Sequence, residues 1–275
     1  MDRKALFLDL DGTLLNDYKE ITPGNSSAIS KALLAGHKII INTGRPLVSA
    51  IKQAQALHLD GAGCYLAAYN GGVLYDMEHR SVISKVSIPV ELVKLTFEEA
   101  NRRNIHIQTY SDTRVLVEPR CDDNEIKRYC ELMDMTYQVI PNIHELAQEP
   151  VKMLLINYQD PSSLEGFRMW INSWADAQLD AFFSCNEYVE IVPKGLNKGN
   201  ALRQMAALLH VPMENTVAAG DAQNDLPMIQ AAYIGVCMCN GCRECKEASD
   251  YITIRDNNSD GIAEVIEKFI LIDKI

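Results

Sequence analysis

The chain has 275 residues, a formal net charge of −11, 47% apolar residues and 23% charged residues. This length can bury one large core or two modest ones, and the composition is that of an ordinary globular protein. The excess of negative charge argues against a nucleic-acid partner, because no surplus of cations exists to neutralise phosphates. No apolar run is long enough for a membrane span, and the N-terminus lacks the regions of a signal peptide. We therefore expect a cytoplasmic protein without a membrane partner, and its oligomeric state stays open.

The N-terminal part of the sequence alternates between strand-like and helix-like segments. The predicted elements are strand 4–10, helix 22–35, strand 37–42, helix 46–57 and strand 65–69. The first helix begins where Thr22, a favourable N-cap residue, is followed by Pro23. Strands separated by helices in this way indicate right-handed βαβ units and a parallel sheet.

The middle of the chain, residues 82–188, has shorter strand-like runs. These runs are Val82–Ile88, Ile105–Tyr110, Arg114–Glu118, Val151–Tyr158 and Ala181–Cys185. Helices are expected to open at Pro89, Asp122 and Pro161, and residues 111–113 read as the turn of a hairpin. This pattern is typical of an α+β module.

The C-terminal part resumes the alternation of the N-terminal part. Its predicted elements are helix 197–209, strand 215–219, helix 225–232 and strands 233–238 and 250–254. The sequence thus predicts an α/β fold, a doubly wound, mostly parallel Rossmann-like core sheet built from 1–81 and 189–275. Residues 82–188 would form an α+β domain inserted into it.

Two carboxylates, Asp9 and Asp11, follow the first strand two residues apart. Side chains at this spacing on a strand point the same way, so the two carboxylates converge, and such crowding is costly unless a cation or proton compensates it. Asp and Gly also suit simple turns. A calcium loop with Glu20 in its twelfth position is excluded, because Leu14 stands where that loop requires glycine.

Polar residues also follow the other predicted strands. In an open parallel sheet, ligands bind beyond the carboxyl ends of the strands. Three carboxylates at one edge suit Mg²⁺, and a lysine, a hydroxyl and backbone amides beside them would clamp a phosphoryl group. The candidates in addition to Asp9 and Asp11 are Thr43, Gly44, Arg45, Asn70, Lys198, Asp221, Asn224 and Asp225.

These motifs and their order closely resemble those of the haloacid dehalogenase-like (HAD) superfamily of phosphohydrolases. D-L-D-G-T-L-L at 9–15 matches the first motif of that family, Thr43-Gly44 the second, Lys198 the third and residues 220–225 the fourth. The large insertion between the second and third motifs resembles the type IIB cap of the Cof-type subfamily. The resemblance implies that 1–81 and 189–275 form the catalytic core and 82–188 the cap.

The resemblance also implies a mechanism and a set of roles. The expected activity is Mg²⁺-dependent hydrolysis of small phosphorylated metabolites, with sugar phosphates as the leading class, through an aspartyl-phosphate. The implied catalytic residues are Asp9, the nucleophile, and Asp11, the general acid and base. Phosphate would contact Thr43, Gly44, Lys198 and Asn224; Mg²⁺ would be held by Asp9, the Asp11 backbone carbonyl, Asp221 and Asp225; Arg45 and Asn70 are candidate substrate contacts.

Two alternatives stay open from the sequence. A phosphotransferase or phosphomutase would use the same motifs and the same intermediate. A thiol-rich metal-binding or redox-sensing protein with a non-catalytic core is suggested by four cysteines within residues 237–245. We favour a structural role for these thiols, because Cys237 belongs to an apolar strand-like run. Cys237 and Cys239 stand where the family usually has small residues.

Overall fold

A computed structural model of the chain describes residues 3–119 and 124–271. The described residues divide into two compact units. Among the described residues, the core unit is made from 3–46, 50–84 and 197–271, and the inserted unit from 47–49, 85–119 and 124–196. No helix within the described ranges is long and apolar enough to cross a membrane.

The strands and helices follow one another along the whole chain. In order they are β1 (Ala5–Leu8), α1 (Pro23–Leu34), β2 (Lys38–Asn42), α2 (Leu47–Ala56), β3 (Cys64–Ala68), β4 (Val73–Asp76), β5 (Ser81–Lys85), α3 (Val90–Arg102), β6 (His106–Tyr110), β7 (Val115–Val117), α4 (Asn124–Met133), β8 (Tyr137–Val139), β9 (Met153–Ile156), α5 (Ser163–Trp174), β10 (Leu179–Cys185), β11 (Tyr188–Pro193), α6 (Lys198–Leu208), β12 (Thr216–Gly220), α7 (Leu226–Ala231), β13 (Ile234–Cys237), α8 (Arg243–Ala248), β14 (Tyr251–Ile252) and α9 (Gly261–Val265). Asp122, a predicted helix start, lies outside the described residues.

The core unit contains an eight-stranded sheet in the order β14-β13-β12-β1-β2-β3-β4-β5. Neighbouring strands from β14 to β3 are parallel, and β4 runs antiparallel to β3. All four residues of β1 are buried, which explains the continuous apolar run of that strand. This confirms the predicted α/β fold with a mostly parallel sheet. From β1 the chain adds β2 and β3 on one side of the sheet, and from β12 it adds β13 and β14 on the other side. In sheets of this kind, ligands bind at the carboxyl ends of the two strands where the order reverses, here β1 and β12.

The first residues of α6 are held by its N-cap and by β2. The Asn197 side chain accepts hydrogen bonds from the backbone N–H groups of Gly199 and Asn200 at 3.0 and 2.9 Å. The side chain of Asn42, at the end of β2, donates to the carbonyl of Lys198 at 2.9 Å. These contacts fix where α6 begins relative to the sheet.

Replacing Asn197 with alanine is expected to lower the free energy of unfolding by about 1 kcal/mol, because the two N–H groups lose their acceptor. Urea denaturation followed by circular dichroism measures this loss. The control is Gln138→Ala, which changes an exposed side chain. Asn172 and the exposed Asn258 are unsuitable as controls, because their side chains also bond backbone groups. An equal loss of stability in Asn197→Ala and Gln138→Ala would contradict the capping role.

The inserted unit contains a six-stranded sheet in the order β10-β11-β9-β6-β7-β8. Strands β6 and β7 are antiparallel and joined by a tight turn, which confirms the predicted hairpin. One face of the sheet packs on α3 and α5 through an apolar cluster that includes Phe97, Leu155 and Phe167. The inserted unit therefore has a hydrophobic core of its own.

The boundaries of the two units differ from those expected from the sequence. The sequence missed β4, and it placed the run that contains β5 in the insertion, whereas β5 lies at the edge of the core sheet. The division at the other side falls between 196 and 197, because β11 pairs with β9 and β10 in the second sheet. Composition cannot assign such a strand to a sheet, since both sheets require apolar strands.

Candidate active site

The turn after β1 brings the first motif against the loop after β12. The Asp9 N–H donates to the carbonyl of Ala219 at 3.1 Å, which extends the β1–β12 pairing to the start of the turn. Gly12 has φ +82°, and a Cβ atom there would lie 2.6 Å from Oδ2 of Asp221. Only glycine combines this backbone conformation with so close an approach of Asp221.

A buried lysine lies between two carboxylates at the centre of the site. The Lys198 side chain is 0% exposed, and its Nζ lies 2.5 Å from Oδ1 of Asp9 and 2.6 Å from Oδ1 of Asp225. Burial by itself would lower the pKa of Lys198, but the charges of Asp225 and Asp9 outweigh it and raise that pKa. Lys198 is therefore a permanent cation in this site.

Asp225 uses both of its carboxylate oxygens within the protein. Oδ1 contacts Lys198, and Oδ2 accepts the backbone N–H groups of Asp221 and Ala222, each at 3.0 Å. The residue is fully buried in a 3₁₀ turn, Gln223–Asp225. Its geometry is that of a group that orients Lys198 and closes the loop after β12.

A cluster of carboxylates carries more negative charge than Lys198 can balance. Carboxylate oxygens of Asp9, Asp221 and Asp225 lie within 4.8 Å of one another. Burial, together with the charge of Asp225, raises the pKa of Asp221 to about 6 although Thr13 donates a hydrogen bond to it at 2.7 Å. Burial also raises the pKa of Asp9, opposed by Lys198. Hard oxygen ligands with unbalanced negative charge fit Mg²⁺, and Asp9 and Asp221 are better placed to hold it than Asp225.

Asp11 points to two cations instead of joining that cluster. Its carboxylate accepts from Arg45 through Nε at 3.0 Å and Nη2 at 2.8 Å, and from the Nζ of Lys19 at 2.7 Å. Burial would raise the pKa of Asp11, but the hydrogen bonds and charges of Arg45 and Lys19 lower it below its usual value. The sequence identified neither Lys19 nor the contact between Arg45 and Asp11; a substrate contact of Arg45 stays a prediction.

The second motif, Thr43-Gly44, lies next to Asn70, which follows β3. The Asn70 N–H donates to the carbonyl of Thr43 at 2.8 Å, and the Thr43 hydroxyl accepts the N–H of Arg45 at 3.2 Å. Asn70 has φ 57°, and its side chain lies against Gly44. The structure thus brings Thr43, Gly44 and Asn70 together, whereas Asn224 is exposed on the 3₁₀ turn.

The cysteine run, residues 237–245, forms hydrogen bonds with the loop after β12. The Cys245 thiol donates to the carbonyl of Ala222 at 2.9 Å, and the Cys242 N–H donates to the carbonyl of Asp221 at 2.7 Å. Cys237 is buried and donates to the carbonyl of Met238. Among the described His, Cys, Asp and Glu residues, the group spaced to hold a metal is the aspartate cluster, and no cysteine belongs to it.

Comparisons with known proteins cover almost the whole chain. A family model described as haloacid dehalogenase-like hydrolase matches residues 6–266. The pyridoxal phosphate phosphatase YbhA of Escherichia coli is 30% identical over 278 residues, which cover 98% of this chain and 100% of that protein. The crystal structure of TM0651 from Thermotoga maritima is 33% identical, with a TM-score of 0.86 over 99% of this chain and 98% of the other.

A more distant structure has the same fold. The HAD subclass IIB sugar phosphatase BT4131 is 23% identical, with a TM-score of 0.79 over 98% of this chain and 100% of the other. The similarity extends over almost the whole chain, including the inserted unit.

Proposed function

This chain belongs to the haloacid dehalogenase-like hydrolase family, and we propose that it is a Mg²⁺-dependent phosphatase of small phosphorylated metabolites. The observation that carries the proposal is the buried Lys198, which contacts both Asp9 and Asp225 beside Asp221. Such a cluster has no structural advantage, because a buried set of charges this unbalanced is costly to fold. It is suited to a dianionic phosphoryl group held with a divalent cation.

In the first step, an oxygen of Asp9 attacks phosphorus and forms an aspartyl-phosphate while the bond from phosphorus to the alcohol oxygen breaks. Asp11 takes up a proton when the dianionic substrate binds beside it, because that negative charge opposes the lowering of its pKa by Arg45 and Lys19. It then gives this proton to the departing oxygen and becomes a carboxylate again. Lys198 and Thr43 neutralise and bind the transferring oxygens. Arg45 and Lys19 stabilise the carboxylate form of Asp11 that this step leaves behind.

In the second step, a water molecule attacks the phosphorus of the aspartyl-phosphate. The Asp11 carboxylate accepts a proton from this water, and the bond between phosphorus and Asp9 breaks. Inorganic phosphate leaves, Asp9 is regenerated as a carboxylate and Asp11 is protonated again. The two displacements replace one difficult attack by water on the ester.

Mg²⁺ would be held by the Asp9 and Asp221 carboxylates and the backbone carbonyl of Asp11. When bound, the ion supplies positive charge that stabilises the phosphoryl oxygens and offsets the crowded carboxylates. Asp225 orients Lys198 and the loop after β12 through both of its oxygens. Gly12 leaves the space that Asp221 occupies.

The substrate class is a phosphate monoester of a small metabolite, with sugar phosphates as the leading candidates. Pyridoxal phosphate, named for the relative from E. coli, is a second candidate. The net charge of −11 disfavours polyanionic nucleic acids as substrates.

The proposal predicts Mg²⁺-dependent phosphate release from a panel of sugar phosphates, pyridoxal phosphate and nucleoside monophosphates. EDTA should abolish release and added Mg²⁺ should restore it, because the carboxylates then regain their cation. Phosphate is measured colorimetrically, with parallel chromatography for phosphorylated acceptors. Phosphate transfer to a sugar hydroxyl instead of water would contradict the phosphatase and indicate a phosphotransferase.

A further inference from the structure

Three consecutive residues between β3 and β4 have left-handed backbone conformations. The φ angles of Tyr69, Asn70 and Gly71 are 53°, 57° and 99°. Glycine and asparagine enter this region readily, but a tyrosine rarely does, and residues with a side chain usually enter it singly because each entry costs free energy. Tyr69 and Asn70 are also buried. We call residues 69–71 the left-handed turn.

The left-handed turn contacts each of the three residues that follow β2. The Asn70 N–H donates to the carbonyl of Thr43 at 2.8 Å, and the Tyr69 N–H donates to the carbonyl of Arg45 at 3.0 Å. The Asn70 side chain lies against Gly44, where a Cβ atom would come within 3.2 Å of Oδ1 of Asn70. The unusual backbone conformation therefore coincides with contacts to the second motif.

The left-handed turn also packs on the first turn of α6, which carries Lys198. A Cβ atom at Gly71 would overlap the Cβ of Ala201 and lie 3.3 Å from its Cα atom and 3.6 Å from the carbonyl oxygen of Asn197. The Ala201 N–H donates to that same carbonyl at 3.1 Å, so both residues belong to the helical turn that contains Lys198. The backbone of Gly71 thus lies where no side chain would fit.

We propose that the left-handed turn is a positioning element for the phosphoryl group: it sets the distance between Thr43 and Lys198, the two side chains proposed to bind the transferring oxygens. The inference rests on the proposed function. Thr43 and Lys198 belong to separate segments, and the turn contacts both of them. It adds a second connection to the one that the Asn42 side chain makes with the carbonyl of Lys198.

This role is carried by backbone geometry, and it has a specific consequence. A change in the geometry of the left-handed turn should weaken phosphate binding although every polar side chain of the site is still present. The inhibition constant Ki of inorganic phosphate measures that binding. A Ki reports on the folded molecules that bind the ion, so a variant that is only less stable keeps the wild-type value.

The test introduces a methyl group between the left-handed turn and α6. In Gly71→Ala, the turn or the helix has to move, because the new Cβ overlaps that of Ala201. We expect the Ki of phosphate, measured by competition with p-nitrophenyl phosphate in Mg²⁺, to rise about tenfold. Gly71→Ala combined with Ala201→Gly should recover most of this loss, because the overlapping atom is then absent.

Gly36→Ala is the matched control. Gly36 follows α1 and also has a positive φ, 86°, but a Cβ atom there would meet nothing within 4 Å. Alanine at this position therefore has a backbone cost of the same kind without displacing a neighbour. We expect a lower thermal midpoint than in the wild type and an unchanged Ki.

Asn70→Ala and Asn70→Gly form a second comparison, which decides the question if Gly71→Ala does not fold. Both variants lose the amide and any substrate contact it makes, but only glycine accepts the φ of 57° without cost. The Ki of phosphate should therefore be higher in Asn70→Ala than in Asn70→Gly, by about threefold or more.

Four results would overturn the positioning role: an unchanged Ki in folded Gly71→Ala, an equal rise in Gly36→Ala, no recovery in the double variant, or equal Ki values in the two Asn70 variants. Each of these results leaves hydrolysis by the wild type intact. A wild-type protein that releases no phosphate from any ester with Mg²⁺ would instead overturn the proposed function, and this inference with it.

Discussion

Asp9→Asn is expected to reduce phosphate release by about four orders of magnitude or more, because an amide is not a nucleophile towards phosphorus. The substitution preserves the size of the side chain next to Lys198. In contrast to activity, the stability of the folded protein should not fall in Asp9→Asn. Burial raises the pKa of Asp9, so the folded state binds the proton more tightly than the unfolded state, and the ionised group at neutral pH costs stability. Without Mg²⁺, the thermal midpoint should stay equal or rise.

Steady-state phosphate release and thermal unfolding in EDTA measure these two effects on the same preparation. Asp176→Asn is the control, since it neutralises an exposed aspartate that pairs with Lys194. It should change neither value. Turnover near the wild-type rate in Asp9→Asn would contradict the nucleophile, and a loss of activity accompanied by unfolding would contradict the stability argument.

Lys198→Met is expected to abolish turnover and to lower the free energy of unfolding by about 3 kcal/mol in EDTA, because Asp9 and Asp225 lose their buried cation. Methionine fills much of the same volume, so the loss reflects charge rather than a cavity. Added Mg²⁺ should recover part of the stability through binding to the aspartates, but none of the activity.

The double variant Asp9→Asn with Lys198→Met isolates the pair. Asp9→Asn should raise the free energy of unfolding more in the Lys198→Met background than in the wild type, since Lys198 no longer offsets the Asp9 carboxylate there. Urea denaturation in EDTA gives the four values of the cycle. Wild-type stability in Lys198→Met, or an equal effect of Asp9→Asn in the two backgrounds, would contradict the electrostatic account.

The backbone position of the site was predictable from the sequence. Motifs such as Asp9 and Asp221 follow buried strands, and the carboxyl ends of neighbouring parallel strands meet at one edge. The order β12-β1-β2 therefore brings together residues that are about two hundred positions apart in the chain. The same logic placed Lys198 at the start of α6, where Asn197 marks the N-cap.

Side-chain partners were not predictable in the same way. The sequence predicted neither the contact of Arg45 with Asp11 nor that of Lys19, whose φ is positive. Asp225 was expected to bind the metal or to lie beside it, and it does lie in the aspartate cluster, but its contacts with Lys198 and two backbone N–H groups were not predicted. These outcomes depend on rotamers and on turn conformation, which strand and helix periodicity does not report. The only signal for Lys19 in the sequence was its position, a few residues beyond the first motif.

The cysteine run shows a similar limit. Its spacing suggested a metal cluster, but the thiol of Cys245 and the N–H of Cys242 bond the loop that carries Asp221. A sequence pattern cannot distinguish thiols that converge on an ion from thiols that support a loop. Only the three-dimensional arrangement of the described residues separates the two.

The most direct test of the account is the stereochemical course at phosphorus, followed with a phosphate monoester made chiral by oxygen isotopes. An aspartyl-phosphate on Asp9 requires two in-line displacements, each of which inverts the configuration. The account therefore predicts net retention in the released phosphate. Net inversion would show that water attacks the ester directly, and it would contradict Asp9 as the nucleophile.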